Sequence, residues 1–218
     1  MNRFFINKEE IVGGRARIFG EDAKHIASVL RLSRGDELLL CDGGGQEYPA
    51  RIEAADKESV RVEILSQRRA QAEPRTRVTL FQGLPKAGKL ETIIQKCVEL
   101  GVSSIVPVLA KRSVVRLTGG EFEPKRARYR RVAYEAAKQS GRGVVPEIGA
   151  LIEIDKIDPA AFDAFFVPYE GETEQSLKQA LRKFCGARNV GVAIGPEGGF
   201  DPEEVRMLKE KGAQCVTL

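Results

Sequence analysis

The sequence predicts an α/β protein in which a small β-rich module precedes a larger, mostly parallel sheet flanked by helices. Two observations carry this. Apolar residues alternate with polar ones through much of the first 70 residues, and from Arg77 onward short apolar strands alternate with amphipathic helices. A third supports the second half: its four expected helices stop at Gly101, Gly141, Gly186 and Gly212, where a left-handed C-cap favours glycine.

The first module, residues 1–70, reads as the strands RFFI, RARIF, DELLLCDG, EYPARIEAA and SVRVEIL, which is small-barrel material. The last two place Tyr48, Ala50, Ile52 and Ala54, and Val60, Val62 and Ile64, on one face. One helix interrupts them, with Asp22 as its expected cap and Ile26, Val29 and Leu30 at helical spacing. Gly43 to Gly45 form a tight turn. The polar stretch SQRRAQAEPRT, residues 66–76, marks the boundary, and residues 74–218 form the second domain. Its elements run strand RVTLFQGL, helix KLETIIQKCVEL, strand SSIVPVLA, a long helix over 124–140, strand DAFFVPY, helix EQSLKQALRKFC, strand NVGVAIG, helix PEEVRMLKEK and strand QCVTL. Strand–helix alternation of this kind puts helices on both faces of a parallel sheet.

The apolar runs, such as 163–169 and 190–194, fall far short of the roughly 18–20 residues of a membrane helix, and MNRFFINKEE lacks a signal-peptide core. A cytoplasmic protein without a membrane anchor is expected. Cys41, Cys97, Cys185 and Cys215 are widely spaced with no CxxC, which fits reduced core residues better than zinc ligation or a disulfide framework. His25 is the only histidine, so mechanisms that need a histidine base or a multi-histidine metal site are disfavoured and no metal is expected.

Charge separates the thirds of the chain. Residues 1–72 carry no net charge, 73–145 carry +9 and 146–218 carry −5. The basic middle, with Lys111, Arg112, Arg116, Lys125, Arg126, Arg128, Arg130, Arg131, Lys138 and Arg142, would draw a phosphate backbone by counterion release; the alternative is a solvated helix face.

GLPKAGKL, residues 83–90, nearly matches a phosphate loop between a strand and a helix. Leu90 has no hydroxyl for a magnesium ion, and Pro85 removes a backbone donor. Neither a dinucleotide fingerprint nor a G-x-S-x-G elbow is present. The informative segment is VGVAIGPEGGFDPEEV: an apolar strand enters Gly195-Pro196-Glu197-Gly198-Gly199, followed by a helix with Asp201 as cap and Pro202 at its first position. Such a loop at a strand's carboxyl end lets a flat ligand lie against bare main chain.

MNRFFI, HIASVLRLSRGDELLLCDGGGQEYPARI, KLETIIQKCVELGVSSIVPVLAKRSVV, YEAAKQSGR and IGPEGGFDPEEV, in that order, resemble the RsmE family of bacterial small-subunit ribosomal RNA uridine methyltransferases along essentially the whole chain. The resemblance implies an N-terminal PUA-like β-barrel and a C-terminal SPOUT α/β domain whose trefoil knot holds S-adenosylmethionine. It implies a homodimer that methylates ring nitrogen 3 of one uridine in 16S ribosomal RNA within the small subunit. By the same resemblance, Gly195, Pro196, Glu197, Gly198 and Gly199 hold the cofactor with Pro168, Tyr169 and Glu170. Arg112, Glu135, Gln139 and Arg142 face the RNA and the target base. Arg112 or Arg142 would stabilise the uracil anion, and Glu135 would accept its proton or orient donors. Arg3, His25, Arg31, Arg128, Arg131 and Gln139 are the expected RNA contacts.

Two departures accompany the match. Tyr129 stands where the family has a tryptophan. The family pattern also continues after VTL with a segment like L-G-x-R-I-L-R-x-E-T, which threads the knot, closes the adenosine pocket and adds dimer contacts. If the polypeptide ends at Leu218, weak or no cofactor binding and an incomplete knot are expected; if further residues follow, a loose C-terminal knot that orders on cofactor binding is expected instead, and intact mass separates the two. The competing readings are an RNA-binding protein without catalysis and a nucleotide-dependent enzyme using residues 83–90; titration with S-adenosylmethionine and with ATP separates the three.

Overall fold

The computed structural model describes residues 1–86 and 88–218; Ala87, inside the phosphate-loop-like stretch, lies outside the described residues. The chain divides into two units, Met1–Glu73 with Ala137–Val145, and Pro74–Ala136 with Pro146–Leu218.

The first unit is built on a six-stranded sheet of β1 (Arg3–Phe5), β2 (Arg15–Phe19), β3 (Glu37–Cys41), β4 (Gln46–Ala55), β5 (Ser59–Ile64) and β6 (Arg68–Arg69). The order is β1-β3-β4-β5-β2, with β6 paired to β4. Only β1 and β3 run parallel. The expected alternation holds: Ala16 and Ile18 of β2 and Val60 and Val62 of β5 turn into a core with Phe4, Ile26, Leu38, Leu40, Tyr48 and Ile52. The short helix departs from expectation. The helix α1 (Gly20–Lys24) starts after Phe19 without a side-chain cap, Asp22 lies inside it, and its end widens into a π-turn over His25–Val29. Of the three apolar residues expected on its inner face, Ile26 is buried, Leu30 packs at the core's edge and Val29 is exposed.

Asp22 has a different partner, an ion pair with Lys138, whose ammonium also sits 5.1 Å from the centre of the Phe4 ring. Residues 137–145, which the linear reading leaves in the second domain, are tied into the first unit by this pair and by a second clamp. Arg142, only 4% exposed, meets Glu73 at 2.7 Å, and Glu73 also accepts hydrogen bonds from the backbone N–H groups of Gly143 and Val144.

The second unit carries a seven-stranded, wholly parallel sheet. Its strands are β7 (Arg77–Gly83), β8 (Ser104–Leu109), β9 (Glu147–Ile148), β10 (Ile152–Glu153), β11 (Ala164–Pro168), β12 (Asn189–Ile194) and β13 (Gln214–Val216). The order is β10-β8-β7-β12-β11-β13, with β9 beside β8. The helices are α2 (Lys89–Glu99), α3 (Gly119–Gln139), whose residues 137–139 belong to the first unit, α4 (Leu177–Lys183) and α5 (Pro202–Glu210). In β11, Phe165 and Val167 pack with Val205 and Leu208 of α5, while Ala164 and Phe166 pack with Ala180 of α4. Strand alternation therefore puts these two helices on opposite faces, as expected. α3 begins five residues before its expected start. Thr118 and Glu121 form a capping box, the Thr118 N–H donating to Glu121 at 2.8 Å and the Glu121 N–H to the Thr118 hydroxyl at 3.3 Å, and this carries Pro124 inside the helix. The two-residue strands β6, β9 and β10 have no counterpart in the sequence pattern; they are too short to show a period.

No helix among the described residues is long and apolar enough to cross a membrane. Glu73→Ala should destabilise the protein by about 3–5 kcal/mol in urea unfolding, because it deprives a buried guanidinium of its carboxylate and two backbone donors of their acceptor. Glu73→Gln should recover part of that loss by restoring the backbone bonds.

Candidate functional site

The parallel sheet changes direction beside β7: the chain passes to β8 on one side, and β12 fills the other. Ligands bind in open α/β sheets at such a switch point, beyond the carboxyl ends of the strands. Four segments emerge at these ends: Leu84 after β7, Ala110 to Arg112 after β8, Tyr169 and Glu170 after β11, and Gly195 to Gly199 after β12.

The β7 and β12 exits meet with no space between them. A Cβ on Gly83 would lie 2.6 Å from both the backbone N and the Cδ of Pro196, and one on Gly195 would lie 2.9 Å from the carbonyl carbon of Gly199. Glycine is required at both positions by close approach of main chain. Gln82, buried beneath them, donates to the carbonyls of Gly83 at 3.0 Å and Gly195 at 3.4 Å. The bend is closed by Gly199 N–H donating to the Pro196 carbonyl at 2.8 Å.

Charged side chains fix the outer parts. Glu197 accepts from the Lys86 backbone N–H at 3.1 and 3.2 Å and pairs with Lys89 at 2.8 Å. Lys89 first, and the backbone donors with it, pull the Glu197 carboxyl down to about 2. Arg112 donates to the Gly198 carbonyl at 3.1 Å and lies 3.8 Å from Asp201, with its side chain 41% exposed. A Cβ on Gly198 would touch Arg112 at 3.4 Å, and one on Gly199 would come 3.8 Å from the Glu170 carboxylate. The bare edge of the bend is thus bounded by a cation and a carboxylate.

Behind it stands Glu204, 3% exposed. Asp201 and Glu204 form the capping box of α5, the Asp201 N–H donating to Glu204 Oε2 at 2.8 Å. The other oxygen, Oε1, accepts from the Lys111 backbone N–H at 2.7 Å. One carboxylate therefore joins the start of α5 to the residue before Arg112.

The structure brings together Arg112, Glu170 and the Gly195–Gly199 bend. Tyr169 and Pro168 lie at the adjoining strand end, where the Tyr169 N–H donates to the Val216 carbonyl at 3.0 Å. Arg142 belongs to the first unit, clamped by Glu73. Arg3 is likewise engaged, pairing with Glu47 at 2.8 Å and donating to Cys41 Sγ at 3.2 Å. His25 and Arg31 are exposed at the end of α1, Arg31 in the left-handed region at φ 54°. On α3, Glu135, Arg131 and Gln139 are exposed, and Arg128 is held by Glu91 at 2.9 Å. Sequence reasoning missed Gln82, Lys89 and Glu204. Only Glu204 had a usable signal, the D-x-x-E capping spacing from Asp201. Leu90, which spoils the phosphate-loop match, is a buried anchor of α2 with Ile94 and Val98. Among the described residues, no group of three or more His, Cys, Asp or Glu is placed to hold a metal ion.

Residues 72–218 match the RNA methyltransferase domain family, and residues 19–65 match the RNA methyltransferase PUA domain family. The ribosomal RNA small subunit methyltransferase E of Bacillus subtilis is 33% identical over 99% of this chain and 88% of its own length. A crystal structure of a ribosomal RNA small subunit methyltransferase E from Neisseria gonorrhoeae bound to S-adenosyl methionine superposes with a TM-score of 0.83 at 29% identity, covering 100% of this chain and 89% of that one. A methyltransferase structure from Legionella pneumophila, in complex with the same cofactor, gives 0.82 at 27% identity, over 99% and 88%.

Two outcomes test the site's internal ties. Glu204→Ala should cost about 2–4 kcal/mol, because two backbone donors lose a buried acceptor, and hydrogen exchange at Lys111 and Asp201 should accelerate more than in the core strands. Glu197 has a carboxyl depressed on folding, so its stabilisation is fully present above the unfolded value near 4.3 and is lost as pH falls through about 2. The stability difference between wild type and Glu197→Gln should be largest above about pH 5 and vanish toward the acid limit.

Proposed function

The chain belongs to the ribosomal RNA small subunit methyltransferase E family, and on that premise we propose that it uses S-adenosylmethionine to methylate ring nitrogen 3 of one uridine in 16S ribosomal RNA. The observation that carries the reading is the Gly195–Gly199 bend at the sheet's switch point, with Arg112 fixed across its edge. The residues present suit such a cofactor. Beside Gly198 and Gly199 no side chain of the bend intervenes, so a flat heterocycle can lie against the main chain, although the Gly198 carbonyl already accepts from Arg112 and the Gly199 N–H donates to Pro196, and Glu170 supplies a carboxylate within reach of hydroxyl or ammonium donors. Gly195 to Gly199, with Pro168, Tyr169 and Glu170, would hold it.

When bound, the cofactor supplies a methyl group on a cationic sulfur. The uracil N3–H is a weak acid, and its conjugate base spreads negative charge over the two flanking carbonyl oxygens. Arg112 keeps part of its guanidinium exposed while one N–H is spent on the Gly198 carbonyl, so remaining donors can stabilise that charge. Glu135 would accept the N3 proton or orient donors toward it. Arg142 is not needed for the anion in this scheme; its burial against Glu73 suits a fixed structural cation. We place RNA on the exposed His25 and Arg31 of the first unit and Arg128, Arg131 and Gln139 of α3, and leave Arg3 with Glu47. The same premise extends to a homodimer with a knotted C-terminal domain, acting on the small ribosomal subunit in the cytoplasm.

Calorimetric titration with S-adenosylmethionine, followed by single-turnover reaction with small-subunit RNA and nucleoside analysis, tests the reading. The expected product is 3-methyluridine. Arg112→Ala should slow the chemical step by about 10²–10³-fold at saturating cofactor, the size expected for losing one charge-stabilising donor. Methylation at another atom would overturn the N3 assignment, an unchanged rate in Glu135→Gln would remove its role as base, and binding of RNA without cofactor heat would favour a non-catalytic RNA-binding protein.

A further inference from the structure

The outward face of the β2–β5 pair holds a charge arrangement that the fold does not require. β2 is an end strand of the first unit's sheet, and its exposed residues, Arg15, Arg17 and Phe19, alternate with buried Ala16 and Ile18. In the antiparallel register Arg17 stands directly opposite Arg61, and both are exposed. Like charges facing each other across a strand pair are destabilising. Two neighbouring arginines of this sheet are matched: Arg15 pairs with Glu53 and Arg51 with Glu37, each at 3.1 Å. Neither Arg17 nor Arg61 forms an ion pair among the described residues, although Arg61 adds a small pull on the Asp56 carboxyl, which the Ser59 and Glu58 backbone N–H groups chiefly hold below its ordinary value. Two residues further along β2, on the same side, Phe19 is 60% exposed. A concavity of about 730 Å³ joins these residues, lined by Arg15, Arg17, Phe19 and Arg61, with Glu10 and with the Glu53 that Arg15 already occupies.

The geometry points to a single-stranded RNA site here, in which the Arg17–Arg61 pair grips a backbone phosphate and Phe19 stacks on the neighbouring base. An anion between two facing guanidinium groups converts their repulsion into paired charge-assisted hydrogen bonds. An exposed aromatic beside a phosphate clamp is the minimal unit of sequence-tolerant single-strand recognition, because every base offers a π-face. The site rests on the reading of the protein as an RNA methyltransferase and adds to it a contact surface whose residues neither the basic middle third nor the cofactor bend contains. The competing explanation is that charge on an end strand only discourages edge-to-edge association.

Single charge reversals separate the two explanations without endangering the fold. Arg17→Glu turns a repulsive cross-strand pair into an attractive one, so its thermal midpoint should equal or exceed that of wild type. With a labelled oligouridine of about 12 nucleotides as probe, anisotropy titration should show affinity reduced by about tenfold near 0.1 M salt and a shallower salt slope, by about 0.7 for each phosphate the variant no longer neutralises. Arg61→Glu should behave alike. Phe19→Ala should weaken binding by a similar factor and leave the salt slope unchanged, because stacking releases no counterions. If wild type binds the probe and all three variants match it in affinity and slope, the inference is wrong and the charges serve the edge. If wild type binds neither this probe nor small-subunit RNA, the RNA methyltransferase reading fails and takes the inference with it.

Discussion

The buried carboxylate of Glu204 is the constraint on which the site's order depends. Its two oxygens take the backbone N–H groups of Asp201 and Lys111, so one side chain closes the first turn of α5 and anchors the segment leaving β8. Taking a carboxylate out of water costs several kcal/mol unless its lone pairs are met, and here the donors are main chain. A backbone donor cannot rotate away as a lysine can, which makes the link a geometric one. Arg112 follows Lys111 directly and reaches back to Gly198 and toward Asp201. The path from Asp201 through Glu204 and Lys111 to Arg112 and Gly198 is a closed loop of hydrogen bonds and chain.

A second constraint acts by exclusion. Gly83 and Gly195 are bare because Pro196 and Gly199 occupy the space a Cβ would need. Gly198 and Gly199 are bare on a side where a Cβ would meet only the margins of Arg112 and Glu170. Glycines at these strand exits thus do two jobs: the inner pair permits close packing of two strand exits, and the outer pair leaves main chain uncovered. Glu197, between them, takes no part in the bare edge; Lys89 and the Lys86 backbone hold it against the start of α2.

Most of the architecture is legible from period and punctuation. The alternation of RARIF and SVRVEI, the glycines after the long helices and the Asp201-Pro202 start all correspond to elements in place. The departures have local causes. Asp22 has the sequence position of a cap because it precedes an apolar run, but Lys138, distant in sequence, takes its charge. The start at Thr118 is hidden because Pro124 suggests a boundary, although T-G-G-E carries a capping box. For the site, the glycine bend can be found from composition alone. The partnership of Glu204 with Lys111 cannot, since 93 residues separate them and only the parallel order of β8, β7 and β12 brings their ends together.

The arginines show why charge counting along a chain is a coarse guide. The +9 of residues 73–145 suggests a uniform attraction for polyanions, yet Arg142 is buried against Glu73, Arg128 is met by Glu91, and Arg126 donates to the Ile148 carbonyl while pairing with Glu123. A guanidinium already satisfied by a carboxylate adds little to the field felt by a phosphate, because the pair is neutral at distances beyond its own separation. The first 72 residues, with no net charge, nevertheless leave Arg17 facing Arg61 with neither in an ion pair among the described residues. What distinguishes a cation available to a partner is the absence of a nearer acceptor, and that is a property of register and packing. Arg112 stands between these cases: one N–H is spent on the Gly198 carbonyl and Asp201 lies 3.8 Å away, so what it offers along the open edge of Gly198 and Gly199 is its remaining N–H donors rather than an unpaired charge.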